Sequence, residues 1–294
     1  MSALAKMFGF LRNPPPEFVF EIASDGIAMS RTRPPAAPQY AALPAGVLVP
    51  SPFKDNVLDH DAFTRAVARL VPAAARRAQR TAALILPDNA MRLAVLDFES
   101  FPAKEEERLA LVKFRLRKTL PFDVDEAALA YHVQTGNKVI AAVAPVEIMA
   151  RYEAPFRAAG LHPGFVTASS LALLELLPVA GSILVAHRSP GALTVLALRQ
   201  GVVTLARSLE LNAGADQLTE ISADLYPTLV YIEDQTGARP EKLILAGFGP
   251  DADTSATRLS IELDIPVEAL YNEHPGLEGY LCSLALAPAR KAAA

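Results

Sequence analysis

Residues 182–211 have the sequence SILVAHRSPGALTVLALRQGVVTLARSLEL. Three apolar runs rich in β-branched residues are separated by two short breaks, at Pro190-Gly191 and at Gln200-Gly201. Glycine-containing breaks of this length between apolar runs are typical of β-hairpins, because glycine adopts the backbone angles of a tight turn. The segment therefore predicts an antiparallel meander of three strands.

A related pattern occurs near the start of the chain. The run FVFEIA at 18–23 is followed by Ser24-Asp25-Gly26 and by IAMSRTR at 27–33, which predicts strand, turn and strand. A further extended piece, GVLVP at 46–50, precedes a helix predicted from about Asp61 to Arg80. The chain thus begins with strands that are followed by a covering helix.

The C-terminal third repeats this order after the second meander. The pattern predicts a long helix at about 215–236, a buried strand KLILAG at 242–247, a helix at about 254–263 and a closing helix near 276–286. Strands followed by helices, twice in one chain, indicate an α/β protein with two lobes. A length of 294 residues agrees with this, since a single hydrophobic core rarely grows so large.

The composition limits where the protein works. Hydrophobic residues make up 51% of the chain, but charges, prolines and glycines divide them into pieces of strand or helix length. The most apolar window, Thr167–Ala186, contains Glu175, Pro178 and Gly181, so it predicts a helix, a turn and a strand rather than a membrane span. The N-terminus lacks the features of a secretory signal. We therefore expect a cytoplasmic protein.

Several chemistries are disfavoured by the residues themselves. A net charge of −4 argues against nucleic-acid binding, and a single cysteine, Cys282, excludes an internal disulfide. The five histidines lie far apart, so no metal site and no catalytic residue is predicted. The N-terminal tail, residues 1–16, has apolar residues at helical spacing. It is either a partner-binding or membrane-surface helix or a frayed end that covers the fold.

Three longer stretches resemble the PilM group of type IV pilus assembly proteins. The first is LVKFRLRKTLPFDVDEAALAYHV at 111–133, and the second is VIAAVAPVEIMARYEAPFRAAGLHPGFVTASSLALLEL at 139–176. The third begins with GVVTLARSLEL at 201–211 and continues to KLILAGFGPDADTSATRLSIELDIPVEAL at 242–270. Together they extend the resemblance over most of the chain.

The resemblance implies a two-lobed actin-like (ribonuclease H-like) α/β fold with a small subdomain inserted in the first lobe. The first lobe is expected at 17–180, with the inserted subdomain at about 82–160. The second lobe is expected at 181–290, after the N-terminal tail at 1–16.

Actin-like ATPases hold phosphates in two hairpin turns and place aspartates beside the magnesium ion. Where the family has Asp-x-Gly-Ser/Thr, this chain has Glu21-Ile22-Ala23-Ser24-Asp25-Gly26. Where the family has Val-Asp-Ile-Gly, it has Val185-Ala186-His187-Arg188-Ser189-Pro190-Gly191, with no carboxylate. A third, adenosine-side loop keeps Gly247 and Gly249 around Phe248.

The degenerate nucleotide-binding loops therefore comprise eight candidate residues: Glu21, Ser24, Asp25, Gly26, Arg188, Gly191, Gly247 and Gly249. The glycines of the third loop have a second interpretation, as a turn between strand and helix. Because phosphoryl transfer depends on a charge clamp that is mostly missing here, we expect no enzyme activity and no required cofactor. Binding of ATP with magnesium is the alternative.

As for function, the resemblance implies a cytoplasmic scaffold at the inner membrane that holds the N-terminal tail of a PilN-like membrane protein and meets other pilus assembly proteins. Membrane association would come mainly through that partner. The tail is expected in a groove within about residues 80–160, with Leu120, Pro121 and Phe122 as markers, although these three would equally suit core packing at a helix-to-strand corner. The alternatives are an ATPase or ATP-dependent switch of the same fold and a cytoplasmic platform component of type II secretion.

Overall fold

A computed structural model describes residues 16–32, 35–72, 80–212 and 216–281. The chain divides into two compact units that meet in the sequence between Glu175 and Leu176. The boundary expected from the sequence was 180/181. Residues 1–15 of the predicted tail and residues beyond 281 lie outside the described parts.

The described residues of the first unit form twelve helices and strands, not counting short 3₁₀ turns. In chain order they are β1 (Phe18–Ala23), β2 (Gly26–Thr32), β3 (Pro35–Ala42), α1 (His60–Leu70), β4 (Arg80–Leu86), β5 (Arg92–Asp97), α2 (Glu105–Leu116), β6 (Ala127–Val133), β7 (Lys138–Pro145), α3 (Val146–Ala158), β8 (Leu161–Ala168) and α4 (Ser169–Leu173).

Five of these strands form one sheet, in the order β3-β2-β1-β4-β8. β1, β2 and β3 are antiparallel neighbours, whereas β4 and β8 run parallel to β1. The central strand β1 is apolar except for Glu21, and Phe18, Val19 and Phe20 are all fully buried. A strand with both faces covered requires such a run, because neither face meets water.

The remaining three strands form a small antiparallel sheet, β5-β7-β6, with α2 beside it. It extends over residues 92–145, a narrower range than the 82–160 expected for the inserted subdomain. The reason lies at both ends of that range. β4 pairs with β1 and β8 in the large sheet, and α3 packs Tyr152 and Phe156 into the large core.

An aromatic cluster fills the core of the large sheet. The ring centroids of Phe20 and Phe156 are 4.8 Å apart, and Phe63 of α1 lies 6.2 Å from both Phe156 and Tyr152. Offset and edge-to-face aromatic pairs of this kind add to the free energy gained from area burial alone. α1 and α3 are thereby fixed on the same face of the sheet.

Two local predictions for the first unit were wrong. The third meander strand is β3, which pairs with β2, whereas the predicted GVLVP segment contributes only the single bridge Leu48–Val57. β3 tolerates its prolines because it is an edge strand. α1 ends at Leu70 and not at Arg80, since Pro72 disfavours a helical Val71, and Val71 is extended.

In the second unit, the part of the chain that the structure describes forms five strands and two helices. In chain order they are β9 (Ser182–Ser189), β10 (Ala192–Arg199), β11 (Val202–Glu210), α5 (Gln217–Thr236), β12 (Lys242–Ala246), α6 (Ala252–Leu263) and β13 (Val267–Leu270). The sheet order is β11-β10-β9-β12-β13. β9, β10 and β11 form the predicted meander, and β12 and β13 run parallel to β9.

Both helices of this unit cover the same sheet face. Leu225 and Leu229 of α5 share one buried cluster with Leu259 of α6 and Leu184 of β9. The closing helix predicted near 276–286 is not found in its described part, because residues 276–281 form turns, with Tyr280 N donating to Leu277 O. Within the described parts of the chain, no helix is long and apolar enough to cross a membrane.

The N-terminus of α5 generates a pH-dependent prediction. The Asp216 carboxylate caps the helix by accepting from Leu218 N and Thr219 N, and it pairs with Arg258 of α6. Hydrogen bonding to Arg258 lowers the pKa of Asp216 to about 2. A carboxyl whose folded pKa is depressed stabilises the fold above its unfolded pKa, near 3.9, and loses this effect as the pH falls toward 2.

Asp216→Asn keeps the capping oxygen and removes the charge. We expect the variant to be less stable than the unaltered protein at pH 5, with the difference shrinking as the pH falls from 4 toward 2. Urea unfolding monitored by circular dichroism over this pH series measures it. A stability difference that stays constant with pH would contradict the assigned ion pair.

Candidate functional site

The first predicted phosphate turn is a two-residue hairpin, Ser24-Asp25, between Ala23 and Gly26. The side chain of Tyr40 lies over it, and its hydroxyl donates to the carbonyl of Asp25 at 3.0 Å. A Cβ placed on Gly26 would lie 2.3 Å from the Tyr40 oxygen. Gly26 therefore makes room for a tyrosine ring of the same unit.

Glu21, the residue that replaces the family aspartate, lies inside the sheet rather than on the turn. It is only 5% exposed, and its backbone faces Ala28 of β2 and Ile85 of β4. Of the four candidates in this loop, Ser24, Asp25 and Gly26 are brought together at the turn.

The second turn and the third loop contact each other. Arg188, near the end of β9, places its guanidinium carbon 5.0 Å from the ring centroid of Phe248, and its Nη2 donates to the Phe248 carbonyl at 3.3 Å. Burial lowers the pKa of Arg188, and the nearby carboxylate of Asp251 opposes this shift. The guanidinium predicted to meet a phosphate thus binds a core residue of the adjacent loop, since Phe248 is fully buried.

Gly247 and Gly191 differ in what surrounds them, although both have left-handed backbone angles, with φ of +75° and +78°. A Cβ on Gly247 would lie 2.0 Å from the carbonyl oxygen of Arg188, whereas one on Gly191 would meet nothing within 4 Å. Gly249, with φ of +61°, is also in open space. The turn interpretation of Gly247 therefore has a direct steric reason.

One residue at this end of the first sheet was not singled out from the sequence. Asp88, two residues after the end of β4, is fully buried, and its Oδ1 accepts from Ser170 N at 2.9 Å and from Ser169 Oγ at 3.3 Å. It thereby ties the carboxyl end of β4 to that of β8. The Pro-Asp pair that follows the buried strand TAALIL was the available signal. No group of three or more His, Cys, Asp or Glu side chains suited to a metal ion occurs among the described residues.

The first unit has an apolar groove of about 390 Å³ that is suited to binding. Its floor is one face of β6 and β7, where Ala128 faces Ala144 and Ala130 faces Ala142 across the strands. Its wall is formed by Met91 and by residues of α3, β8 and α4, namely Met149, Glu153, Phe165, Val166, Thr167 and Leu171. The wall is fixed, because the Tyr152 hydroxyl of α3 donates to the buried Asn56 Oδ1 at 3.1 Å.

The groove carries little net charge. Burial lowers the pKa of His132, so this side chain is uncharged at neutral pH. The Glu153 carboxylate accepts from Arg157 Nη2 at 2.6 Å and from Arg157 Nε at 3.1 Å. Binding of an uncharged apolar segment in the groove would therefore remove little water from charged groups.

β6 is an edge strand, because it follows β7 at the end of the three-stranded sheet. An edge strand has a row of backbone N–H and C=O groups that no neighbouring strand of its own sheet uses. The groove thus combines an edge that can pair with an extended backbone and a floor of small side chains. The alternation of alanine in AALAYHV was the sequence signal for this floor.

The predicted markers lie elsewhere. Leu120 and Phe122 pack against the small core around Val112 and Leu116, and Pro121 is exposed. None of the three lines the groove. The core-packing interpretation fits Leu120 and Phe122, which lie at the corner between α2 and β6.

This topology, with the same strand order in both large sheets, defines a class of protein. The chain has the actin-like ATPase fold, as the sequence predicted. No protein-family model matches the sequence, and no curated protein sequence matches it either. The class therefore rests on solved structures.

The solved PilM–PilN type IV pilus biogenesis complex is similar over 95% of this chain and 99% of the other, with a TM-score of 0.73 and 21% identity. A Bacteroides thetaiotaomicron protein with an actin-like ATPase fold and unknown function gives 0.55 and 14%, covering 95% and 98% of the two chains. The cytoplasmic domain of EpsL from the Vibrio cholerae type II secretion system gives 0.53 and 9%, covering 94% of each. The resemblance to PilM is thus confirmed at the level of fold.

The contrast between the two turn glycines can be tested. We expect Gly247→Ala to destabilise the protein by about 2–4 kcal/mol, from left-handed strain plus the clash with Arg188 O. Gly191→Ala carries the strain without the clash and should cost about 1–2 kcal/mol. Urea unfolding of both variants measures the difference. Equal losses would show that the loop moves away from Arg188 at no cost.

Proposed function

We propose that this chain is a PilM-like scaffold of type IV pilus assembly, which binds the N-terminal tail of a PilN-like membrane partner in its apolar groove. The observation that supports this most directly is the groove itself, with an edge strand, an alanine floor and almost no net charge. Extended peptides bind such sites through backbone hydrogen bonds, while side-chain pockets determine the register. The volume of about 390 Å³ is within the usual range of binding pockets.

The proposal places the protein in the cytoplasm at the inner membrane, held there by the partner and in contact with other assembly proteins. Among the structures compared, the PilM–PilN complex has the higher TM-score, 0.73 against 0.53 for the EpsL domain. This difference favours a pilus component over a type II secretion platform component. The proposed partner is accordingly a PilN-like tail.

Ala130 offers a direct test of the groove, because it is exposed on the floor of an edge strand. We expect Ala130→Arg to weaken binding of a synthetic PilN-like tail peptide by at least about ten-fold, or about 1.4 kcal/mol, since the long cation fills the floor. Calorimetric titration of the full chain measures this.

The matched control is Ala110→Arg, at an exposed alanine of α2 in the same small subdomain, outside the groove. It should bind the peptide as the unaltered protein does. Unchanged affinity in Ala130→Arg, or equal losses in both variants, would exclude the groove as the tail site. Absence of any peptide binding would exclude the scaffold role as stated.

We further propose that the chain does not bind ATP with magnesium and is not an ATPase. Three features support this: the Tyr40 ring over Gly26, the contact of Arg188 with Phe248, and the absence of a carboxylate at Ala186. Magnesium held at phosphates needs oxygen ligands, usually carboxylates, beside the phosphate-binding turns.

Titration with ATP and magnesium, with and without the tail peptide, tests this second proposal. We expect no saturable binding tighter than about 1 mM and no change in peptide affinity. Magnesium-dependent binding, or release of phosphate, would restore the ATPase or switch alternative. That outcome would leave the peptide result unaffected, so the two proposals can fail separately.

A further inference from the structure

The longest helix of the second unit, α5, has an apolar stripe on the side away from the core. The inner side consists of buried residues such as Ile221, Leu225 and Leu229. The opposite side carries five residues on successive helical turns: Ala223, Tyr226, Pro227, Val230 and Tyr231. Spacing at i, i+3, i+4, i+7 and i+8 places these five residues on one face.

The aromatic residues of this stripe are exposed to solvent. Tyr226 and Tyr231 are each 54% exposed, and Ala223 and Pro227 are also exposed. A surface helix normally has polar residues on the side opposite its core. Exposed tyrosines clustered on a rigid helix are typical of a protein-binding surface, since tyrosine is enriched among residues that contribute strongly to binding.

Pro227 interrupts the helical hydrogen bonds in the middle of the stripe. It lies inside the helix and has no N–H, so the carbonyl of Ala223 does not receive the usual bond from residue 227. Proline inside a helix therefore reduces the stability of the helix at this exposed position.

The charge around the stripe has one sign. α5 contains Glu220, Asp224, Glu233 and Asp234 and neither lysine nor arginine. Arg258 pairs with Asp216 and Glu262, Arg239 pairs with Glu233, and Arg207 donates to Thr228 on the buried side of the helix. Among the described residues no hydrogen bond or ion pair is assigned to the carboxylates of Asp224 and Asp234.

This charge selects among occupants. An anionic membrane or a nucleic acid would be repelled, and a second copy of the same face would bring acidic residues together. A segment with lysine or arginine beside aliphatic side chains would instead match the carboxylates and the apolar stripe at once. We propose that the α5 face binds a cationic amphipathic segment of a partner protein.

A fluorescein-labelled amphipathic peptide of leucine and lysine serves as the probe, and a peptide of leucine and glutamate is its charge control. Fluorescence anisotropy with the full chain should show saturable binding of the lysine peptide, weakened by added salt, and none of the glutamate peptide. Replacing both tyrosines, Tyr226→Ser with Tyr231→Ser, should weaken binding by about ten-fold or more. Replacing both free carboxylates, Asp224→Lys with Asp234→Lys, should do the same.

Two matched controls lie on the same unit but away from α5. Tyr271→Ser removes a tyrosine that is 50% exposed, and Glu273→Lys reverses an exposed charge. Both should leave the affinity unchanged. Asp224 is half-buried and the other replaced side chains are exposed, so circular dichroism checks that each variant is folded.

Three results would overturn the proposal: no saturable binding of the lysine peptide, equal binding of the glutamate peptide, or unchanged affinity in both double variants. A dimer seen by sedimentation that disappears in the tyrosine variant would also overturn it, in favour of a second copy as the occupant.

Discussion

In each unit, the fold depends on parallel pairing between the first strand of the unit and the strand that follows the crossover helix. β1 pairs with β4, and β9 pairs with β12, although many residues separate the partners in the sequence. Such pairing requires a crossover, and the crossover helix must cover one face of the sheet. The central strands are therefore buried on both sides, and FVFEIA and SILVAHR have few polar residues for that reason.

Parallel pairing also collects loop residues at one edge of each sheet. In the first unit, the turn after β1, Asp88 after β4 and Ser169 after β8 all follow carboxyl ends of parallel strands. Open α/β sheets commonly bind ligands at that edge. Here the same positions are used for internal contacts, since Asp88 binds Ser170 N and Tyr40 covers the first turn.

The sequence predicted the meanders well because strand periodicity and turn residues are local signals. Gly191 and Gly201 occur where the hairpins turn, with positive φ at both. It predicted β3 poorly, because the prolines and alanines of PAAPQYAA have low strand propensity and pair only through the edge of β2. There the tertiary context overrides local preference.

Candidate site residues were predictable as positions but not as contacts. The pattern located the three loops, yet the stacking of Arg188 on Phe248 joins residues 60 positions apart and has no local signal. Likewise, Leu120 and Phe122 are apolar in any arrangement, and only the packing of α2 against the small sheet decides which side they face. The groove depends on such non-local packing, because its floor and its wall come from different sheets.

The two proposed binding surfaces differ in chemistry, and this difference argues that they bind different segments. The groove has the uncharged His132, the carboxylate of Glu153 in an ion pair with Arg157, and the edge strand β6. It therefore suits an apolar extended chain. The α5 face carries the carboxylates of Asp224 and Asp234. Most of its backbone groups are used within the helix, so the face suits cationic side chains. A segment that fits one surface lacks what the other offers, since specificity is a difference of affinities. The two proposals therefore call for two chemically different segments.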